Sequence, residues 1–383
     1  MNILIIGNGF DLAHGLATKY SDFLSYCHQI DLNKLSDDNT LSKSLKMNFW
    51  LSHFLLRSKE IGETWIDFEE EILSAITQIS RSARRYLVSP RMLAFLNNNN
   101  DKTQYVFIPK LFWNIRPNEM SSAYMFSLLE HSIDISQHST YFKQQLCNLA
   151  NESKEYILFQ DKSHSEQTNV LFKNINGFVN YVYDELRRFT DALEYYLYLI
   201  NKTAPAYYYF IRDKITFSNV ISFNYTKTFE RLYPDNSQKT IYLHGNINGM
   251  GTNESNIVLG TRSFNKPDDP SDMFSIFKKS HQRQRYNTIK DYQLLLRNLS
   301  LTGDRRDTIS IFGHSLNYTD RFLLNNILSA NSKAFINIYY HNLSSKIRLI
   351  DSIYALLGEK DAESRVCFYD QHDRKEGLLV PYK

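Results

Sequence analysis

The chain has little to constrain it covalently. Among its 383 residues stand three cysteines, Cys27, Cys147 and Cys367. An odd number at such distant positions makes neither a disulfide framework nor a zinc ribbon, so a cytoplasmic protein without structural metal is expected. Glycine and proline are scarce, 13 and 8, which makes each glycine cluster informative. The formal net charge of +3 is too small to argue for nucleic acid on its own. No run approaches the ~18 apolar residues of a membrane span. The opening Ile3-Leu4-Ile5-Ile6 is too short for a signal-peptide core and has no basic flank. What remains, 43% hydrophobic and 22% charged residues, describes a globular chain long enough for two domains.

Two textures alternate along it. Residues 1–16 and 215–383 read as strand–turn–helix units. Short, β-branched apolar runs lie at 2–6, 219–223, 240–243, 257–259, 308–312, 335–340 and 365–369. They are apolar on both faces, as parallel strands buried between helices are. A helix over 344–358 has Ser344 and Gly358 as caps. The fold class expected is α/β, a Rossmann-like parallel sheet flanked by helices. Residues 20–210 read almost entirely as helix. Leu171, Ile175, Phe178, Val182, Leu186, Phe189, Leu193, Tyr196 and Ile200 recur every three or four residues, one stripe of a long helix. A second helix is expected over 64–88, capped by Thr64, and shorter ones over 45–57, 119–135 and 141–159, with loops at 97–101 and 161–169. The sheet domain is then 1–30 and 206–383, with an all-helical insertion, 31–205, after the first strand.

Ligands of open parallel sheets bind outside the carboxyl ends of the strands. Here those ends carry Gly7-Asn8-Gly9, Asn224, His244-Gly245, Gly260-Thr261 and Gly313-His314-Ser315. The first turn lacks the third glycine of a dinucleotide fingerprint, because Leu12 stands there, and no acid closes a second strand about twenty residues on. Hydride transfer is therefore disfavoured. The glycine pair still lets backbone N–H groups approach a pyrophosphate at a helix N-terminus, and Asp11 is expected either to bind ribose hydroxyls or to cap that helix. Asn224 offers an amide that binds a sugar hydroxyl or positions water without adding charge. His244 offers an imidazole that takes a proton near neutral pH. Together they suit chemistry at a ribose carbon. Gly313 allows close backbone approach and Ser315 reaches a phosphate or ribose, while His314 is expected simply to close its strand. Asp67, Glu69, Glu70 and Glu71 read as acids complementing a helix dipole, not as a metal site. Lys278, Lys279, Arg283 and Arg285 read as a solvated helix face.

At these residues the chain resembles a known family. The opening NILIIGNGFDLAHGLATKYSDFL and the stretch TWIDFEEEI are similar to AbiH-type bacterial abortive-infection proteins. The order Gly-x-Gly, FNYT, LHG and GHSLNYTD resembles the sirtuin-like fold of antiphage effectors. That resemblance implies hydrolysis of NAD+ at the nicotinamide–ribose bond, with Asn224 and His244 as catalytic residues. It places the turn Gly7, Asn8, Gly9 by the dinucleotide and Gly313 and Ser315 on its adenosine side. It implies NAD+ as substrate and no prosthetic group. Zinc cysteines are absent, which argues against a protein deacylase. Two other readings remain open: a non-catalytic nucleotide sensor, and a metal-dependent nuclease or nucleic-acid-binding toxin using the 67–71 acids and the basic helices. A phage-derived trigger and a homo-oligomer are the partners expected, with no membrane.

Overall fold

The computed structural model describes residues 2–30, 40–45, 48–61, 67–82, 106–109, 156–160, 168–172, 175–203, 209–211, 216–234, 240–247, 255–264, 270, 272–301, 307–373 and 377–381. Its eleven described strands are β1 Asn2–Ile6, β2 Val106–Pro109, β3 Tyr156–Gln160, β4 Thr168–Phe172, β5 Tyr209–Ile211, β6 Asn219–Ser222, β7 Thr240–Tyr242, β8 Thr308–Phe312, β9 Phe335–Tyr340, β10 Val366–Asp370 and β11 Leu379–Pro381. The chain divides into two compact units. One comprises Met1–Phe23, Leu193–Arg262 and Lys279–Lys383, the other Leu24–Ala192 and Ser263–Lys278.

The first unit holds a six-stranded sheet in the order β10-β9-β8-β1-β6-β7, with every pairing parallel. The chain winds outward from β1 through β6 and β7, then returns to the other side of β1 for β8, β9 and β10. This is the doubly wound order, and its reversal falls between β1 and β8. Alternation within each strand fills two cores. Ile3, Ile5, Ile221, Ile309, Ile311, Ile336 and Ile338 pack on one face, and Leu4, Ile6, Val220 and Phe312 on the other. Burial on both faces is why these strands read as continuous apolar runs rather than alternating ones. Among the described residues β10 has one neighbour, β9, and its residues are partly or fully exposed. A small antiparallel pair, β5 with β11, belongs to the same unit.

Two expectations about the strands need correction. The run at 257–259 is not a strand. Ile257, Val258 and Leu259 are buried, and the Val258 N–H donates to the carbonyl of His244, just past β7, at 2.8 Å. The insertion is not all helix either. β2, β4 and β3 form a three-stranded antiparallel sheet inside it. Tyr156–Gln160, placed at the end of a helix by periodicity, pairs with Thr168–Phe172 instead; Tyr156, Ile157, Leu158 and Phe159 are aromatic or apolar and suit a strand as well as a helix turn. Leu171 therefore belongs to β4, and the long helix starts at Ile175 and runs to Thr203. Its stripe is as expected: Phe178, Val182, Leu186, Phe189, Leu193 and Tyr196 are all buried. The helices expected at 45–57 and 64–88 appear as Thr40–Leu45, Phe49–Ile61 and Phe68–Ser82. Asp67 caps the last of these, its Oδ1 accepting from the Glu69 and Glu70 amides at 2.9 and 3.3 Å. Thr64, the helix over 119–135 and the loop at 97–101 lie outside the described residues.

The helix Leu343–Leu357 begins one residue early, because Asn342 and not Ser344 is its cap. The Asn342 side chain accepts from the Ser345 amide while the Ser345 hydroxyl accepts from the Asn342 amide, a reciprocal capping box. This fixes the N-terminus of that helix just past the end of β9.

Candidate functional site

β1 and β8 lie side by side, and the turns that leave them touch. The Gly7 N–H donates to the Phe312 carbonyl at 3.1 Å and the Gly9 N–H to the Gly313 carbonyl at 2.8 Å. A Cβ on Gly9 would lie 2.6 Å from the Gly313 Cα; one on Gly313, whose φ is +66°, would lie 2.3 Å from the Phe10 nitrogen. The glycines at these positions are thus required by the approach of two chain segments. The amides of Gly7 and Gly9 are already engaged and are not donors for a phosphate. Asn8 is exposed, and its Oδ1 accepts from the Thr18 hydroxyl at 2.6 Å.

Beyond these turns, at the carboxyl ends of β1, β8, β9 and β10, is a cavity of about 810 Å³. Gly9, Gly313, Ser315, Tyr340, Arg348 and His372 are part of its wall. Its volume falls within the range of small-molecule sites, and its place is the one where open α/β sheets bind ligands. Of the ligand-binding residues expected from sequence, Gly9, Gly313 and Ser315 line it. Gly7, Asn8, Asp11, Gly245, Gly260, Thr261, Asn224 and His244 do not. Gly245 packs against the Asn256 carbonyl. Gly260 and Thr261 are buried, the Thr261 carbonyl accepting from the Lys279 N–H at 2.9 Å.

Two buried carboxylates organise the polar groups at these strand ends. The first is Asp320, at the start of the helix Arg321–Ala330. Its side chain makes no cap bond and turns inward. Its Oδ1 accepts from His244 Nε2 at 3.0 Å and from Lys279 Nζ at 3.2 Å, and its Oδ2 lies 3.9 Å from His314 Nε2. The His314 Nδ1 accepts from the Leu316 N–H at 2.9 Å. The Phe223 ring packs against both imidazoles, with centroids 5.4 Å from His244 and 4.2 Å from His314. Burial pushes both imidazoles down to about 4, with Lys279 adding to the effect, so both are neutral at pH 7. Burial alone would raise Asp320, but Lys279 and His244 hold it well below the usual carboxylate range. Lys279 is 1% exposed and Arg283 is buried. The expectation of a solvated basic face over 278–285 is therefore wrong at these two positions: the helix Lys279–Arg285 turns them inward, where Lys279 meets a carboxylate 41 residues further along the sequence.

The second carboxylate, Asp11, is 1% exposed. Its Oδ2 accepts from the Thr226 hydroxyl at 2.6 Å, and the Thr226 oxygen accepts from the Thr228 hydroxyl at 2.9 Å. Burial raises Asp11 to about 6, against the pull of Thr226, Thr228 and Asn224. The Asn224 Nδ2 and the Asp11 Oδ1 are buried with no hydrogen-bond partner, yet the amide is near enough to favour the ionised carboxyl. So Asn224 groups with Asp11, and His244 with Asp320. They close adjacent strands, but no hydrogen bond joins them. Sequence reasoning singled out Asn224, His244 and Asp11. It missed Asp320 and Lys279 as partners, although GHSLNYTD contains the aspartate.

In the other unit, Glu71 accepts from the Arg57 Nε at 3.0 Å and lies 3.6 Å from His53 Nε2. Asp67 caps the helix, and among the described residues no cluster of His, Cys, Asp and Glu could hold a metal ion. No helix among the described residues is long and apolar enough to cross a membrane.

Searches of curated proteins and of solved structures find no match to this chain. The family model described as Bacteriophage abortive infection AbiH matches residues 3–341. That span runs from the first strand of the parallel sheet past the end of β9 and takes in both buried carboxylates, so the chain belongs to the AbiH family of bacteriophage abortive infection.

Proposed function

We propose that this abortive-infection protein acts on NAD+, hydrolysing the nicotinamide–ribose bond at the carboxyl edge of its parallel sheet. The observation that carries the reading is the convergence of the cavity, Asn224 and His244 on that one edge. From β9 to β6 is three strand spacings, ~14 Å, a distance an extended dinucleotide covers. The adenosine half would occupy the cavity, with Arg348 and Ser315 available to its phosphates and hydroxyls. The nicotinamide riboside would reach the ends of β6 and β7. There the C1′–N bond breaks, nicotinamide leaves with the bonding electron pair and becomes neutral, water bonds to C1′, and the proton lost by water passes to His244. A neutral imidazole suits that step. Asn224 would hold a ribose hydroxyl or the water.

The test is nicotinamide release from NAD+ by the purified full-length protein, alongside protection of cells against phage. Turnover that disappears in His244→Ala and Asn224→Ala, with protection lost in parallel, is the expected result. Phage protection with cellular NAD+ unchanged would overturn it. A second reading is favoured by the burial of both residues, His244 4% and Asn224 5% exposed: nucleotide binding without turnover, as a sensor. It predicts NAD+ binding by calorimetry with no nicotinamide released, and protection that survives His244→Ala.

A further inference from the structure

We infer that Asp320 is the positioning residue for His244: it accepts the Nε2 proton, fixes the imidazole as the Nε2–H tautomer, and leaves Nδ1 as the proton-accepting nitrogen. An ionised carboxylate only accepts hydrogen bonds. At 3.0 Å from Asp320 Oδ1, the Nε2 must therefore carry the proton. Lys279 Nζ on the same oxygen, at 3.2 Å, keeps the carboxylate ionised although it is buried. Because burial keeps the imidazole neutral, a proton on Nε2 means a bare lone pair on Nδ1. Among the described residues no hydrogen bond reaches that nitrogen.

The neighbouring histidine shows why this matters. His314 has the same tautomer, since its Nδ1 accepts from the Leu316 N–H and its Nε2 faces Asp320. Its one acceptor nitrogen is already occupied by backbone. Of the two imidazoles on Asp320, only His244 keeps an acceptor for a substrate or water. An Asp that orients a His and sets its tautomer is a recurrent catalytic device, and its loss lowers turnover more than substrate binding. The catalytic consequence rests on the hydrolytic reading above; the tautomer does not.

The experiment uses the full-length protein labelled with ¹⁵N at histidine, with His244→Gln to assign the resonance. Two-bond nitrogen–proton correlations at pH 7 are expected to show His244 protonated at Nε2 and bare at Nδ1. In Asp320→Ala no side-chain oxygen is left to accept from Nε2, and the proton is expected to distribute between the two tautomers. Nicotinamide release should then fall by about 100-fold or more with KM changed by no more than about threefold. A wild-type His244 that carries its proton on Nδ1, or on both nitrogens, overturns the inference, as does an Asp320→Ala spectrum identical to the wild type. The wild-type spectrum decides the matter even if the variant does not fold. The Nε2–H tautomer in a protein that releases no nicotinamide would sink the hydrolytic reading and leave the positioning intact. Nicotinamide release from a protein with the Nδ1–H tautomer would do the reverse.

Discussion

Asp11 and Asp320 are the same residue type, both buried, at the carboxyl edge of one sheet, and they ionise in opposite directions. Asp320 is buried together with Lys279 and two imidazoles, and its carboxyl is held well below the usual range. Asp11 is buried with threonine hydroxyls and an amide, with the Arg231 guanidinium acting only as the last of its influences, and it rises to about 6. Dipoles soften the desolvation of a charge; a cation in contact cancels it. The two sites are thus built for different work. Asp320 is a fixed negative charge that orients its neighbours. Asp11 is poised to gain or lose a proton near neutral pH, as acid–base groups in enzymes are.

The largest effect should come from removing the fixed charge. Asp320→Ala leaves Lys279 buried without that carboxylate, and breaking a buried pair in this way costs about 3–5 kcal/mol. Denaturant unfolding is the measurement. Asp320→Ala/Lys279→Met should recover much of the loss, because neither charge is then left alone. A cost for Asp320→Ala below about 1 kcal/mol would mean that the carboxylate is not supporting the cation at all.

The next effect distinguishes the two carboxylates by sign. Asp11 is raised from 3.8 to about 6 on folding. Between those values the native state holds a proton that the unfolded chain has released, so stability falls as pH rises from about 4 to about 6, by about 3 kcal/mol. Asp11→Asn should remove that slope and make the variant more stable than the wild type by about 2–3 kcal/mol at pH 7, with no such advantage at pH 4. Asp320 works the other way. Its folded value is depressed, so its contribution is present above about pH 4 and is lost as pH falls further. Unfolding curves of Asp11→Asn at pH 4 and pH 7 test the first sign. A variant no more stable than wild type at pH 7 would show that Asp11 is ionised in the native state without penalty.

Why Asp11 and not Asp320 was legible in the sequence follows from where their partners sit. Asp11 adjoins the Gly7–Gly9 turn, and Asn224 and His244 each end a strand that its β-branched residues announce. The parallel sheet itself was legible because short apolar runs, Ile3–Ile6 in β1, Val220 and Ile221 in β6, and Ile309, Ile311 and Phe312 in β8, recur between helical stretches, and ligands of such sheets gather at the ends of the strands. The pairing of Asp320 with Lys279 depends on how the helix Lys279–Arg285 is rotated. A seven-residue segment in which every residue is basic or polar carries no periodicity that fixes this rotation. Likewise Gly7 and Gly9 were legible as unusual, but what they accommodate was not. The local letters fit a phosphate as well as they fit the Gly313 carbonyl that the structure places there. The three-stranded sheet at β2, β3 and β4 went unread because apolar runs of three or four residues suit a helix face or a strand equally.

The smallest effect tests how the hydroxyls hold Asp11. Thr226 donates directly to its Oδ2 at 2.6 Å, and Thr228 donates to Thr226 at 2.9 Å. Valine matches threonine in shape and lacks the hydroxyl, so Thr226→Val deprives the carboxyl of its nearest donor. It should cost about 1.5–3 kcal/mol at pH 7 and move the Asp11 midpoint upward. Thr228→Val leaves that donor in place and removes the bond behind it with the weaker pull of its own hydroxyl on the carboxyl, for about 0.5–1.5 kcal/mol and a smaller move of the midpoint in the same direction. Both midpoints are read from the carboxyl carbon resonance of Asp11 against pH. If Thr228→Val shifts the midpoint as far as Thr226→Val does, the two hydroxyls act as one unit, and Asp11 is then held by a fixed network much as Asp320 is, which would erase the contrast between the two sites. If the shifts are graded, with Thr226 the larger, Asp11 is held by separable dipoles and remains the group at this edge whose charge can change.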